Sequence, residues 1–186
     1  MQQIRRTLVT ASAGLMLAAV AASAQTYPTG TDPRDALASG RLDAGIATKG
    51  MNLVSFSTKP AQFDTARGLT FINSDLAFGG KYVYQGNFAG FTIWDVSDAT
   101  KPKVVSVVEC ITSQGDPSIY GNLLFVSAEG NGNRIDCSKG GVQDPKDHFA
   151  GVRIFDVADP AHPRQVNLVV VDADSGRPLQ ALKIGC

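Results

Sequence analysis

From Asp75 onward the apolar residues of this chain come in short continuous or alternating runs, each closed by turn residues. That spacing predicts strands and argues for an all-β fold. Phe91-Thr92-Ile93-Trp94 and Val152-Arg153-Ile154-Phe155 carry a bulky apolar side chain at alternate positions or closer. Asp95 and Asp156 follow directly, where a carboxylate can accept turn N–H groups. Pro102 and Pro163 restart the chain in an extended conformation, and Val104–Val108 and Val166–Val170 run on as the next strands. Strand, Asp-rich turn, Pro and strand make a hairpin.

This hairpin is written twice. Gly90–Val105 reads GFTIWDVSDATKPKVV and Gly151–Val166 reads GVRIFDVADPAHPRQV, with seven of sixteen positions identical. Such self-similarity marks a repeat architecture. A turn and strand precede each copy: Phe78-Gly79-Gly80-Lys81-Tyr82-Val83-Tyr84 matches Tyr120-Gly121-Asn122-Leu123-Leu124-Phe125-Val126 at an offset of 42. The doubled segment itself is offset by 61, which leaves 19 extra residues between about Ser127 and Phe149. Repeat folds grow loops of this kind on one face. Two hairpins per unit give a four-stranded sheet of about 42 residues, the size of a propeller blade.

These segments resemble a known family. FTIWDVSDATKPKVV and VRIFDVADPAHPRQV are similar to the LVIVD repeat, a bacterial β-propeller repeat. NSDLAFGGKYVYQGNFAGFTIWDVS, GDPSIYGNLLFVSAEG and the insertion around Cys137 resemble the N-terminal part of exported proteins built from it. The resemblance covers roughly residues 71 to 166. It implies propeller blades and supplies no catalytic motif. Members are usually several times longer, with enough blades to close a ring. Here a third, shortened copy (Leu168 to Pro178, then Leu179–Ile184) begins only 17 residues after the second. Residues 69–186 are therefore expected to form an incomplete propeller: about two four-stranded blades plus an extra hairpin. An open array leaves sheet edges and an apolar blade face uncovered, so self-association through blade edges is expected.

The leader reads differently. Arg5 and Arg6 precede an apolar stretch from Leu8 to Val20, and Ala22-Ser23-Ala24 gives a small-x-small cleavage pattern. Residues 1–24 are read as a signal peptide, with the mature chain starting near Gln25 in a periplasmic or secreted location. Residues 25–68 read as a loosely ordered N-terminal arm. Its one expected strand is Met51–Ser57, with one or two helical turns over Asp35–Leu42.

Charge narrows the partners. Seventeen basic and seventeen acidic residues balance. Loss of the leader, with its two arginines, leaves 15 against 17. No basic stripe stands out, so nucleic acid is not expected. No second long apolar run is present, so no membrane span is expected after cleavage.

Export makes the cysteines informative, because disulfides persist in oxidising compartments. Cys110 ends the run VVSVVEC and Cys137 sits in EGNGNRIDCSKGG. They are expected to pair, the alternative being two free thiols; Cys186 is left over. Glu129, Asn131, Asn133 and Asp136 place oxygen donors in a Gly-rich loop, as a calcium site would, although Arg134 intrudes and the spacing is not an EF-hand. Asp95, Asp98, Asp156 and Asp159 read as turn formers, and His162, which matches Lys101, as turn filling. His148 has no nucleophile beside it in sequence, and Ser118 and Ser127 lack an elbow motif.

Two functions fit. The first is an exported binding or scaffold module whose loops, including 130–148, contact a protein or glycan. The second is the N-terminal fragment of a propeller enzyme, a metal-dependent oxidoreductase or hydrolase, whose active residues lie in blades absent here.

Overall fold

The computed structural model describes residues 32, 34, 36–64, 68–129, 132–138, 142, 144, 147–171 and 178–183. The leader and Cys186 lie outside them. The chain divides into two units, 1–47 and 48–186. In the first, the Leu37 N–H donates to the Arg34 carbonyl at 3.3 Å, and Gly45 N–H to Ala38 at 2.8 Å. These are turns. No helix forms over the described part of 35–42.

The second unit is nearly all β. A short helix α1 (Ala61–Asp64) and a 3-10 turn (Gly68–Phe71) lead into nine strands. These are β1 (Asn73–Gly79), β2 (Tyr82–Asn87), β3 (Gly90–Asp95), β4 (Lys103–Glu109), β5 (Pro117–Tyr120), β6 (Leu123–Ala128), β7 (Gly151–Asp156), β8 (Arg164–Val171) and β9 (Pro178–Lys183). Blade A is the antiparallel sheet β1-β2-β3-β4, and blade B is β5-β6-β7-β8-β9. The extra hairpin foreseen after Val166 takes a simpler form. Its first strand is β8, already the fourth of blade B, so only β9 is added, paired along β8 from Asn167↔Lys183. Among the described residues no helix is long and apolar enough to cross a membrane.

Met51–Ser57 is not a strand. Met51, Leu53, Val54 and Phe56 are all exposed, and a strand needs a partner edge for its backbone groups. The segment touches blade A through the Ser55 hydroxyl, which donates to the Ala99 carbonyl at 2.7 Å.

The blades repeat one another in detail. Each first hairpin turns at a left-handed glycine, Gly80 (φ 58°) or Gly121 (φ 57°). After the turn Tyr82 pairs with Asp95, and Leu123 with Asp156. These matched positions are 41 apart, not 42: Gly80 rather than Gly79 is the turn glycine. The register therefore gives the second copy 20 extra residues rather than 19. Val96 N–H donates to Lys81 O and Val157 N–H to Asn122 O, both at 2.9 Å. The third and fourth strands carry the same irregularity, at Ile93/Trp94 and at Ile154/Phe155. The repeated acids close turns as the spacing predicts. Asp95 accepts from Ser97 N–H at 2.8 Å and Asp156 from Ala158 N–H at 2.9 Å. Asp98 and Asp159 do the same one turn later for Thr100 and Ala161. Lys81 sits 2.9 Å from Asp95, and together with the Ser97 hydroxyl it holds that carboxyl well below the usual carboxylate range.

Cross-strand partners share a sheet face, so the registers define two faces per blade. In blade A the front face carries Ala77, Tyr84, Phe91 and Ile93, and the back face carries Phe78, Val83, Trp94 and Val104. In blade B the back face carries Ile119, Leu124, Val126 and Phe155. The main core joins the front of A to the back of B. Phe91 meets Phe155 edge-on, with ring centroids 4.9 Å apart. The Ser106 hydroxyl donates to the Pro160 carbonyl across the same seam at 2.7 Å. The blades thus stack head to tail, as blades of a propeller do, and not face to matching face.

Candidate functional site

The two copies differ most between their second and third strands. In blade A, Asn87 pairs with Gly90 across only Phe88 and Ala89. In blade B, Ala128 and Gly151 pair in the same way, and residues 129–150 stand between them. That insertion is held to the blade by several independent contacts.

It begins as Glu129 N–H donates to the Thr112 carbonyl at 3.2 Å. Arg134 and His148 form an antiparallel bridge. Phe149 N–H donates to Asn133 O at 2.9 Å, and Ile135 N–H to Asp147 O at 3.2 Å. The two described ends of the insertion, 132–138 and 147–150, therefore lie side by side, antiparallel. At its base Phe149, fully buried, packs with Ala128 and Leu168, and Ile135 and Val170 complete this second core. Cys110 and Cys137 are bridged, with an S–S length of 2.04 Å. The bond ties the insertion to the connector that leaves blade A.

Arg153 is the anchor that sequence reasoning missed. It stands in the middle of β7, at the position Thr92 holds in blade A, and is fully buried. Its Nη1 donates to the Ile135 carbonyl at 3.2 Å and to Gln165 Oε1 at 3.3 Å. Its Nη2 donates to the Arg134 carbonyl. The guanidinium lies 4.6 Å from the Phe149 ring centroid, a cation–π distance. Burial pushes its pKa down to about 10, which leaves it charged at neutral pH. The sequence signal was a lone arginine at a strand position whose repeat counterpart is uncharged.

Removing this side chain should therefore loosen the insertion. Arg153→Ala strands the Ile135 and Arg134 carbonyls, but the desolvation penalty of the cation disappears with it. The expected net loss is about 2 kcal/mol in a urea titration. An unchanged urea midpoint would show that the insertion does not rest on Arg153.

The outer rim of the insertion is charged. Arg134 pairs with Asp136 at 3.1 Å and with Asp147 at 3.2 Å. Arg134, first, and the Ser138 N–H and hydroxyl hold the Asp136 carboxyl well below its usual range. The calcium candidates fall in different surroundings. Glu129 is exposed, while Asn133 is fully buried with its Oδ1 accepting from the Ser113 hydroxyl at 3.3 Å. Asn131 lies outside the described residues. A cation there would have to displace Arg134 from Asp136. Among the described residues no group of three or more His, Cys, Asp or Glu side chains is placed to hold a metal ion. His148 belongs to the bridge with Arg134, and His162 is exposed, 2.8 Å from Asp159 in its turn. Ser127 Oγ accepts from Asp116 N–H at 2.9 Å, a structural role.

Comparison with known proteins bears on the blades rather than on the insertion. No curated protein matches the chain. Residues 73–109, which are blade A from β1 to β4, match the family model of the LVIVD repeat. Blade B repeats blade A in its turns, register and bulge. The chain thus carries one segment that matches the LVIVD repeat, its first blade.

Proposed function

We propose that the chain is an extracytoplasmic binding or scaffold module whose recognition surface is the insertion between β6 and β7. One observation carries this reading. The repeat closes the same junction with two residues in blade A, yet blade B spends 22 there and fastens them with a disulfide and a buried arginine. A loop that only joined two strands would need neither. Conformational freedom given up before binding is not lost on binding, so a loop whose ends are fastened favours affinity. The rim offers Asp136 and Asp147 with side chains half-exposed beside Arg134, a polar surface suited to a protein or a glycan. A disulfide fits the oxidising compartment that the leader implies.

The test uses the mature chain, a variant in which 129–150 is replaced by the two-residue turn of blade A with Cys110→Ala and Arg153→Thr (the residue at the matching position of blade A), and the double variant Asp136→Ala/Asp147→Ala. Each is immobilised and probed with a glycan array and with separated cell-envelope proteins. Any ligand of the mature chain should lose at least ten-fold in affinity in both variants while their far-ultraviolet circular dichroism and cooperative unfolding show the blades intact. Equal binding by all three chains would place recognition elsewhere.

A further inference from the structure

Among the described residues the head-to-tail stacking leaves two faces without a packed partner blade, and each is the repeat counterpart of a face already buried in the seam. The back of blade A corresponds to the back of blade B, which packs on blade A. There Phe78 is 68% exposed and Leu76 49%, whereas Ile119, the counterpart of Phe78, is packed into the core. The front of blade B corresponds to the front of blade A. Tyr84, Phe91 and Ile93 are buried in the seam, but their counterparts Phe125, Val152 and Ile154 are only half-buried. On that same front face Tyr120 is 82% exposed and Leu123 37%.

We infer that the occupant of each free face is a second copy of this chain, the back of blade A in one copy docking on the front of blade B in another. The seam within the chain shows that these two kinds of face fit one another. Both free faces present exposed or half-buried apolar side chains, and one molecule carries both. Their union continues an existing interface rather than creating a new type. Such a contact is heterologous, so it propagates until a ring closes or a filament grows. One position departs from the internal seam. Ile119 packs beside Gly79, but Tyr120 takes the place of Gly79 in blade B. Phe78 of a second copy therefore meets an aromatic ring, and aromatic pairs favour an edge or offset contact.

The polarity of this contact makes it testable with two surface variants of the mature chain. Phe78→Glu blocks the back of blade A, and Leu123→Glu blocks the front of blade B; both side chains are exposed, so the fold is retained. In sedimentation equilibrium at about 100 μM, the unmodified chain should show a mass that rises with concentration beyond a dimer. Each variant alone should be a monomer. Mixed together, the two should form a 1:1 pair and nothing larger, because each supplies the face the other lacks. A monomeric unmodified chain would overturn the inference and leave those faces to another segment or another protein. So would association that survives both substitutions, or variants that fail to pair when mixed.

Discussion

Cys110→Ala together with Cys137→Ala lowers the stability of the mature chain by about 3–4 kcal/mol, the loop-closure value for cysteines 27 positions apart. The effect has two parts. The bridge limits the freedom of the unfolded chain, and it also pins the insertion where Arg153 and Phe149 can hold it. Loss of the bridge should therefore release the insertion before the blades melt. Proteolysis should cut within 130–148 at a protease dose that leaves the oxidised chain whole. The comparison is best made with Cys186→Ser in every variant, so that the third thiol cannot mispair. A urea midpoint unchanged by the double substitution, or by reduction, would contradict a structural role for the bridge.

An effect of similar size should follow from one added methyl group at either of two matched glycines. Gly90 (φ 149°) and Gly151 (φ 146°) open the third strand of their blades in a region that side-chain-bearing residues rarely adopt. A Cβ on Gly90 would lie 1.9 Å from the Val108 carbonyl oxygen, and one on Gly151 lies 1.9 Å from that of Val169. The obstacle in each case is backbone of the paired strand, which cannot rotate away. Gly90→Ala and Gly151→Ala should each cost about 4 kcal/mol, from backbone strain and from overpacking together. Gly132→Ala, where nothing lies within 4 Å of the added atom, is the control and should change little. Thermal unfolding of the three variants checks the contrast. Equal midpoints in all three would contradict the shared strand-opening geometry of the two blades.

The strands were readable because the repeat states them twice. Asp95, Pro102 and their counterparts mark hairpins whose apolar runs suit a pleated sheet, and the junction of the insertion followed from comparing offsets. The off-by-one in the first offset arose from Gly79-Gly80, where either glycine could serve the turn. Only the pairing of Gly79 with Tyr82 decides it. The stacking direction was not readable. In Phe91-Thr92-Ile93-Trp94 both faces carry large apolar side chains, so alternation does not say which one meets the neighbouring blade. Met51–Ser57 shows the converse failure. Its residues favour a strand, but a strand needs an edge to pair with, and local sequence does not supply one. Arg153 was hidden for a third reason. A charged residue in a strand reads as solvent-facing, and only the insertion folding over it with carbonyl oxygens makes its burial tolerable.

The claim on which the rest depends is that two copies of one blade stack front to back. A nuclear Overhauser measurement on the mature chain tests it most directly, using contacts from the Phe155 ring. The stacking predicts strong cross-peaks between Phe155 and Phe91, whose centroids lie 4.9 Å apart, and none between Phe155 and Trp94. Cross-peaks from Phe155 to Trp94 in place of Phe91 would mean that the blades meet back to back, and would contradict it.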